Sequence, residues 1–253
     1  DLLVAAARDA SGRLAVEEST LHFRRALKVA ADPVQQVKIM IELAQLLHHV
    51  GVDEAQRLLS DAAQGVHYAH LAGHDDGTPL LHGDIRPDTL IVTFKGHCKV
   101  SGYGAAAFAP KDSRARNLYV APEQVLGGRA AMNVQADVYL LGATLYECLT
   151  GKAPFEDEPD LEQAVLSKEV DVSGLPEGLG EVIRRAMAKK AADRYPSAQV
   201  FRESLELAVG GMPDHAEIEK WLEQHFPDEQ GVRAERQRMI DAGIANFVRA
   251  QWR

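Results

Sequence analysis

His82-Gly83-Asp84-Ile85-Arg86-Pro87-Asp88-Thr89-Leu90-Ile91-Val92, followed by Gly102-Tyr103-Gly104, is the most informative run of the chain. Apolar runs at 90–93 and 98–101 flank Lys95-Gly96 and predict two short strands joined by a hairpin turn. Upstream, 53–72 predicts an amphipathic helix with Leu58, Leu59, Ala62, Val66 and Ala69 on one face. Downstream come Ala121-Pro122-Glu123, then Asp137-Val138-Tyr139-Leu140-Leu141-Gly142, which runs on to Leu149-Thr150-Gly151-Lys152-Ala153-Pro154-Phe155. Arg194-Tyr195-Pro196-Ser197-Ala198 follows, and helices are predicted over 161–166, 180–190 and 197–209.

In order and spacing these segments resemble the protein kinase signature: H-R-D-L-x-x-x-N, D-F-G and A-P-E. The chain is identified as a degenerate member of the bacterial, myxobacterial-type serine/threonine protein kinase family. The resemblance is carried by 42–209, and the Gly-Thr-Pro-Leu-Leu insert before His82 is similar to the same group. It implies an α+β, protein-kinase-like two-lobed fold. A small, shortened β-rich N-lobe would occupy 1–43, a mainly helical C-lobe 44–211, and a C-terminal helical extension 212–253. It also implies structural roles for four residues. His82 is a packed core histidine, Asp137 holds the backbone of the catalytic loop, and Glu123 and Arg194 form a buried ion pair.

The catalytic positions depart from the family pattern. Asp84 keeps the aspartate that orients the acceptor hydroxyl, and Arg86 stands in place of a lysine. Thr89 replaces the asparagine, and Gly102 the aspartate, that would hold magnesium, an ion that demands near-octahedral oxygen ligands. Gly83 replaces the arginine that pairs with a phosphorylated loop in many kinases. Residues 4–17 resemble two small-lobe strands and place Glu17 at the phosphate-binding lysine, with its helix partner at Ala26. A second register puts Ala26-Leu27-Lys28-Val29 on the lysine strand instead. One charge pair at about 4 Å is worth roughly 4 kcal/mol at an effective dielectric of about 20. Reversing it at Glu17 predicts metal–nucleotide binding weaker by at least about a thousandfold, at ~1.4 kcal/mol per factor of ten. The expectations are therefore a pseudokinase, no enzyme, no cofactor (Mg-ATP binding absent or very weak), and a role as a protein-binding regulator or scaffold in bacterial signalling or assembly.

Two rival readings compete. One is a residual or atypical Ser/Thr kinase using Asp84. The other is a metal phosphohydrolase built from His67, His70, His74, Asp75 and the His82-Gly83-Asp84 run, because such clusters bind hydrolytic metals. The glycine-flanked Gly73-His74-Asp75-Asp76-Gly77 reads instead as a solvated turn.

The rest of the chain bounds the partners. The activation segment is basic through Lys111, Arg114 and Arg116, and it offers Ser113 and Tyr119 as hydroxyls. A net charge of −9 argues against nucleic acid. No apolar run reaches membrane-spanning length, so the expected location is cytoplasmic. Cys98 and Cys148 are the two cysteines and are expected to be reduced core thiols. The first residue is Asp1, so the chain is expected to be a fragment. Asp214 is predicted to cap a helix carrying Ile218, Trp221, Leu222 and Phe226. A further helix would present Ile240, Ile244, Phe247, Val248 and Trp252 as a partner surface or an oligomer contact.

Overall fold

Acidic Asp53 and Glu54 in the first turn and His70 in the last complement the dipole of a helix over Val52–Ala72 (α1), whose Leu59, Ala62, Ala63 and Val66 are fully buried. It ends at Gly73, whose φ of +58° a side chain would resist. The computed structural model describes residues 52–104, 118–225, 231 and 238. Glu17, Ala26, Lys111, Ser113, Arg114, Arg116, Phe226, Ile240, Ile244, Phe247, Val248 and Trp252 lie outside the described residues, as does the small-lobe segment 1–43.

The catalytic-loop stretch turns through a 3-10 segment at Pro87–Thr89 into strand β1 (Leu90–Val92), which pairs antiparallel with β2 (Cys98–Val100). The register is Leu90 with Val100, Ile91 with Lys99 and Val92 with Cys98. A short helix, α2 (Pro122–Gly127), starts with proline in its first turn, where the missing N–H costs nothing. Then comes α3 (Val134–Thr150), capped by Asn133, whose side chain accepts from Ala136 N, and closed by left-handed Gly151. Helices α4 (Leu161–Ser167), α5 (Glu177–Ala186) and α6 (Ala198–Ala208) follow, with side-chain caps from Asp160 and Ser197 on α4 and α6.

Helix α3 is apolar nearly all round, so it belongs at the centre of a core. Its Val138, Leu140, Leu141 and Leu145 are fully buried. It packs between α1 and α5, while α6 lies against α1, α5 and α3. Gly142 makes the α3–α5 approach possible: a Cβ there would sit 2.7 Å from Ala186 Cβ and 3.2 Å from Met187 Cγ. Cys98 and Cys148 are buried free thiols, and burial pushes Cys98 up to about 12.

The described residues fall into two compact units. One runs to Val92 and from Cys98 to Pro213; the other joins Thr93–His97 to the chain from Asp214 onward. The second contains α7 (His215–His225). Its start is a reciprocal cap: Glu217 N donates to Asp214 Oδ1, and Asp214 N to Glu217 Oε2, both at 2.8 Å. Ile218 and Leu222 are buried. Among the described residues no helix is long and apolar enough to cross a membrane.

The helix predicted over 180–190 is displaced toward the N-terminus, to Glu177–Ala186. Pro176 immediately precedes it, and the carbonyls of Ala188 and Lys189 beyond its end accept from Arg194.

Gly142→Ala sets two effects against each other. Alanine in a helix gains about 0.5–1 kcal/mol over glycine, but forcing a methyl into a closed contact costs about 1–3 kcal/mol. Urea unfolding is expected to show a net loss of about 1–2 kcal/mol.

Candidate active site

One carboxylate organises the loop. Asp137, in the first turn of α3, is fully buried. Its Oδ2 accepts from His82 N at 2.9 Å, and its Oδ1 from Gly83 N at 2.7 Å. The same Oδ2 lies 2.7 Å from His70 Nε2 on α1. A buried carboxylate is tolerated only when its lone pairs are taken, and here two backbone donors and an imidazole take them.

The His82 ring works in the same frame. Its Nε2 lies 2.8 Å from Ser101 O, and Asp84 N donates to its Nδ1 at 3.2 Å. A carbonyl only accepts and an amide N–H only donates, so the ring proton sits on Nε2. Tyr103 packs edge-on against the ring at 4.6 Å, and burial, with the charge of Asp137, pushes its phenol up to about 12. Below the loop, the Thr144 hydroxyl on α3 donates to Leu140 O at 2.8 Å and also lies 3.3 Å from Ile85 O.

Gly83 has a structural reason beyond loss of an arginine. Its φ is +72°, and a Cβ would meet Met132 Cε at 2.1 Å and Sδ at 2.8 Å. Gln124 on α2 donates to Gly83 O at 3.0 Å. Methionine packing and an amide thus hold the backbone at this position.

Asp84 is 7% exposed, and Arg86 Nε lies 3.5 Å from its Oδ1, while Arg86 Nη1 reaches Asp88 at 3.0 Å. The Thr89 hydroxyl donates to Arg86 O at 2.8 Å and accepts from Arg86 N at 3.1 Å, closing the turn. Gly102 offers no side chain, and its φ is +91°. The residues at these two positions do not fit the amide-and-carboxylate cage that a hard cation would take there. Beside the loop, burial raises the Glu147 carboxyl to about 7, with Glu156 and Asp88 adding to the effect.

Arg194 is buried and bidentate on Glu123, with both N–O distances 2.8 Å. Its remaining donors go to Ala188 O at 2.7 Å, Gln135 O at 2.9 Å and Lys189 O at 3.2 Å. This pair ties the segment that enters α2 to the loop before α6.

The rival histidine cluster is dispersed. His70 belongs to Asp137, and His74 sits in an exposed turn where its N–H donates to Thr78 O at 2.8 Å. Among the described residues His67, His70, His74 and Asp75 form no group with metal-ligand spacing. Sequence reasoning missed His70 as the partner of Asp137. The signal was present, since His70 continues the buried Leu59, Ala62, Val66 face of α1 at helical spacing.

Arg194→Met strands the Glu123 carboxylate and three carbonyls, and unfolding free energy is expected to fall by about 3–5 kcal/mol in urea titration. Glu147 makes the opposite kind of contribution. Its carboxyl is raised from 4.5 to about 7 in the folded state, so the native form holds the extra proton. Stability from this group is full below about 4.5 and is lost as pH rises through about 7. Glu147→Gln is therefore expected to gain stability relative to the parent well above neutrality and to lose that advantage in acid, read by thermal melts across pH.

Residues 30–203 match the protein kinase domain. The chain is 35% identical over 206 residues to the tyrosine-protein kinase MasK of Myxococcus xanthus, covering 72% of this chain and 31% of the relative. It is 31% identical over 183 residues to the serine/threonine-protein kinase PknL of Mycobacterium tuberculosis, covering 67% of this chain and 43% of that protein. To PknB of the same organism it is 27% identical over 195 residues, 70% of this chain and 30% of the relative. The chain thus spans about a third of the length of the first of these relatives. These matches overturn the expectations of no enzyme and no cofactor, because each relative is named a kinase and protein kinases transfer a phosphoryl group from Mg-ATP. Those expectations summed single substitutions, two of them (Glu17 and Ala26) outside the described residues, whereas phosphoryl transfer rests largely on positioning, and the anchors of Asp84 are intact. The chain belongs to the protein kinase family.

Proposed function

We propose that the chain is the kinase domain of a bacterial protein kinase of atypical active-site composition, acting on serine or threonine hydroxyls of a protein. The carrying observation is the loop on which Asp84 stands. Asp137 holds the amides of the two preceding residues, and His82 takes the amide of Asp84 itself. A carboxylate fixed in this way would accept a hydrogen bond from the acceptor hydroxyl and take its proton as that oxygen bonds to the γ-phosphorus of ATP and the bond to the departing ADP oxygen breaks. Arg86, 3.5 Å from Asp84, sets a positive charge beside the reacting oxygens, the place of the family's catalytic-loop lysine.

A second role is favoured by Thr89 and Gly102. With both metal positions altered and the large-lobe anchors retained, the surface of the lobe also serves to bind a protein partner, as a regulator or scaffold in bacterial signalling or assembly. In this reading the domain is cytoplasmic, with a small lobe at 1–43, a large lobe at 44–211 and an extension at 212–253. Ile240, Ile244, Phe247, Val248 and Trp252 form the partner or oligomer surface.

The direct test supplies the 253-residue chain with γ-labelled ATP, a divalent cation and a serine- and threonine-rich acceptor protein. Label is expected on the acceptor, and Asp84→Ala is expected to lower the rate by about 10²–10⁴-fold with the fold retained. No transfer by the parent, or equal transfer by the variant, contradicts the proposal.

A further inference from the structure

The unit formed by Thr93–His97 and the chain from Asp214 onward carries two imidazoles that no part of the phosphotransfer reading uses. His97 ends the hairpin turn, and His215 opens α7. Their ring centroids lie 3.9 Å apart with planes inclined at 38°, and one ring nitrogen of each lies within 4.8 Å of the other. We propose that His97 and His215 form a binding site for a borderline divalent transition-metal ion, with Zn2+ the representative.

Both backbones are fixed before any ion arrives. In the turn, Thr93 N donates to His97 O and Gly96 N to Thr93 O, each at 2.9 Å. Thr93 Oγ1 accepts from His97 N at 3.2 Å. Gly96, at φ +76°, packs so closely on α7 that a Cβ would lie 2.2 Å from His215 O. Lys95 pairs with Glu219 one turn along that helix. The reciprocal cap between Asp214 and Glu217 holds His215 at the first helical position. Two histidines on locked backbones lose little freedom on chelation, the main penalty a surface site must overcome.

The donor geometry and chemistry agree. Two nitrogens on a tetrahedral zinc, at Zn–N of ~2.0–2.1 Å, sit about 3.3 Å apart. The ring nitrogens already lie within 4.8 Å of one another, so a small rotation of the exposed His97 side chain closes the remaining distance without moving the backbone. Imidazole nitrogen suits zinc, copper and nickel, whereas magnesium and calcium take oxygen ligands. Each ring gives a lone pair to the metal, and water fills the other positions. The bound ion cross-links the hairpin turn to the start of α7.

Zinc chloride titrated into the full chain at neutral pH, followed by calorimetry and thermal melting, is the test. One ion is expected to bind per chain and to raise the melting midpoint by at least about 2 °C at saturation. His97→Gln and His215→Gln are each expected to weaken binding by at least about tenfold. His74→Gln, at an exposed histidine elsewhere, should bind like the parent. Because His97 is exposed, His97→Gln is expected to fold without metal, judged by a circular dichroism spectrum like the parent's, which keeps the comparison valid even if His215→Gln fails to fold. No saturable heat from the parent, or undiminished binding by His97→Gln, overturns the proposal.

Discussion

The hydrogen bonds from the amides of His82 and Gly83 to the buried carboxylate of Asp137 are the constraint on which the rest depends. Three elements meet at that side chain: α1 through His70, the catalytic loop through its backbone, and α3 through Asp137 itself. Leaving such donors unsatisfied in a buried site costs about 1–3 kcal/mol each, more beside a charge. That cost makes a loop that would otherwise wander as rigid as the helix it hangs from. Asp84 inherits its position from this arrangement.

A second buried charge plays the same part farther along. Arg194 satisfies one carboxylate and three carbonyls, and so ties the turn after α5 to the segment that enters α2. Ion pairs of this kind add little net stability compared with well-packed apolar groups, yet breaking one is expensive. They act here as specificity devices, fixing one arrangement of loops around an apolar α3. The core around α3 supplies the burial, and the two charged hubs select the geometry.

Much of this was legible in the residues, and the failures have identifiable causes. The anchoring by Asp137, the pairing of Glu123 with Arg194 and the capping by Asp214 follow from motif position and helix-start chemistry, and the structure brings those groups together. Gly83 was read only as a missing arginine, because sequence does not reveal that Met132 fills the space and that the backbone is left-handed. His70 entered only the rival metal cluster, because its partner Asp137 lies far along the chain; its place on the buried face of α1 was the available signal. The end of α5 differs from the expectation because the turn that follows it is built on Arg194, whose donors to Ala188 O and Lys189 O no local sequence pattern reveals. The expectation of an inert domain failed for a related reason: it summed charge at single positions, while the family's chemistry also depends on positioning, and among the described residues the anchors of Asp84 are intact.

Residue-resolved hydrogen exchange of the His82 and Gly83 amides, in the parent and in Asp137→Ala, reads whether the buried carboxylate holds the loop. Protection in the parent comparable to that of the α3 core, falling by at least about a hundredfold in the variant while α6 keeps its protection, is the result the account requires, since ~1.4 kcal/mol is a factor of ten and two donors are released. Amides that exchange in the parent as fast as an exposed loop, or that are unchanged by removal of the carboxylate, would contradict it.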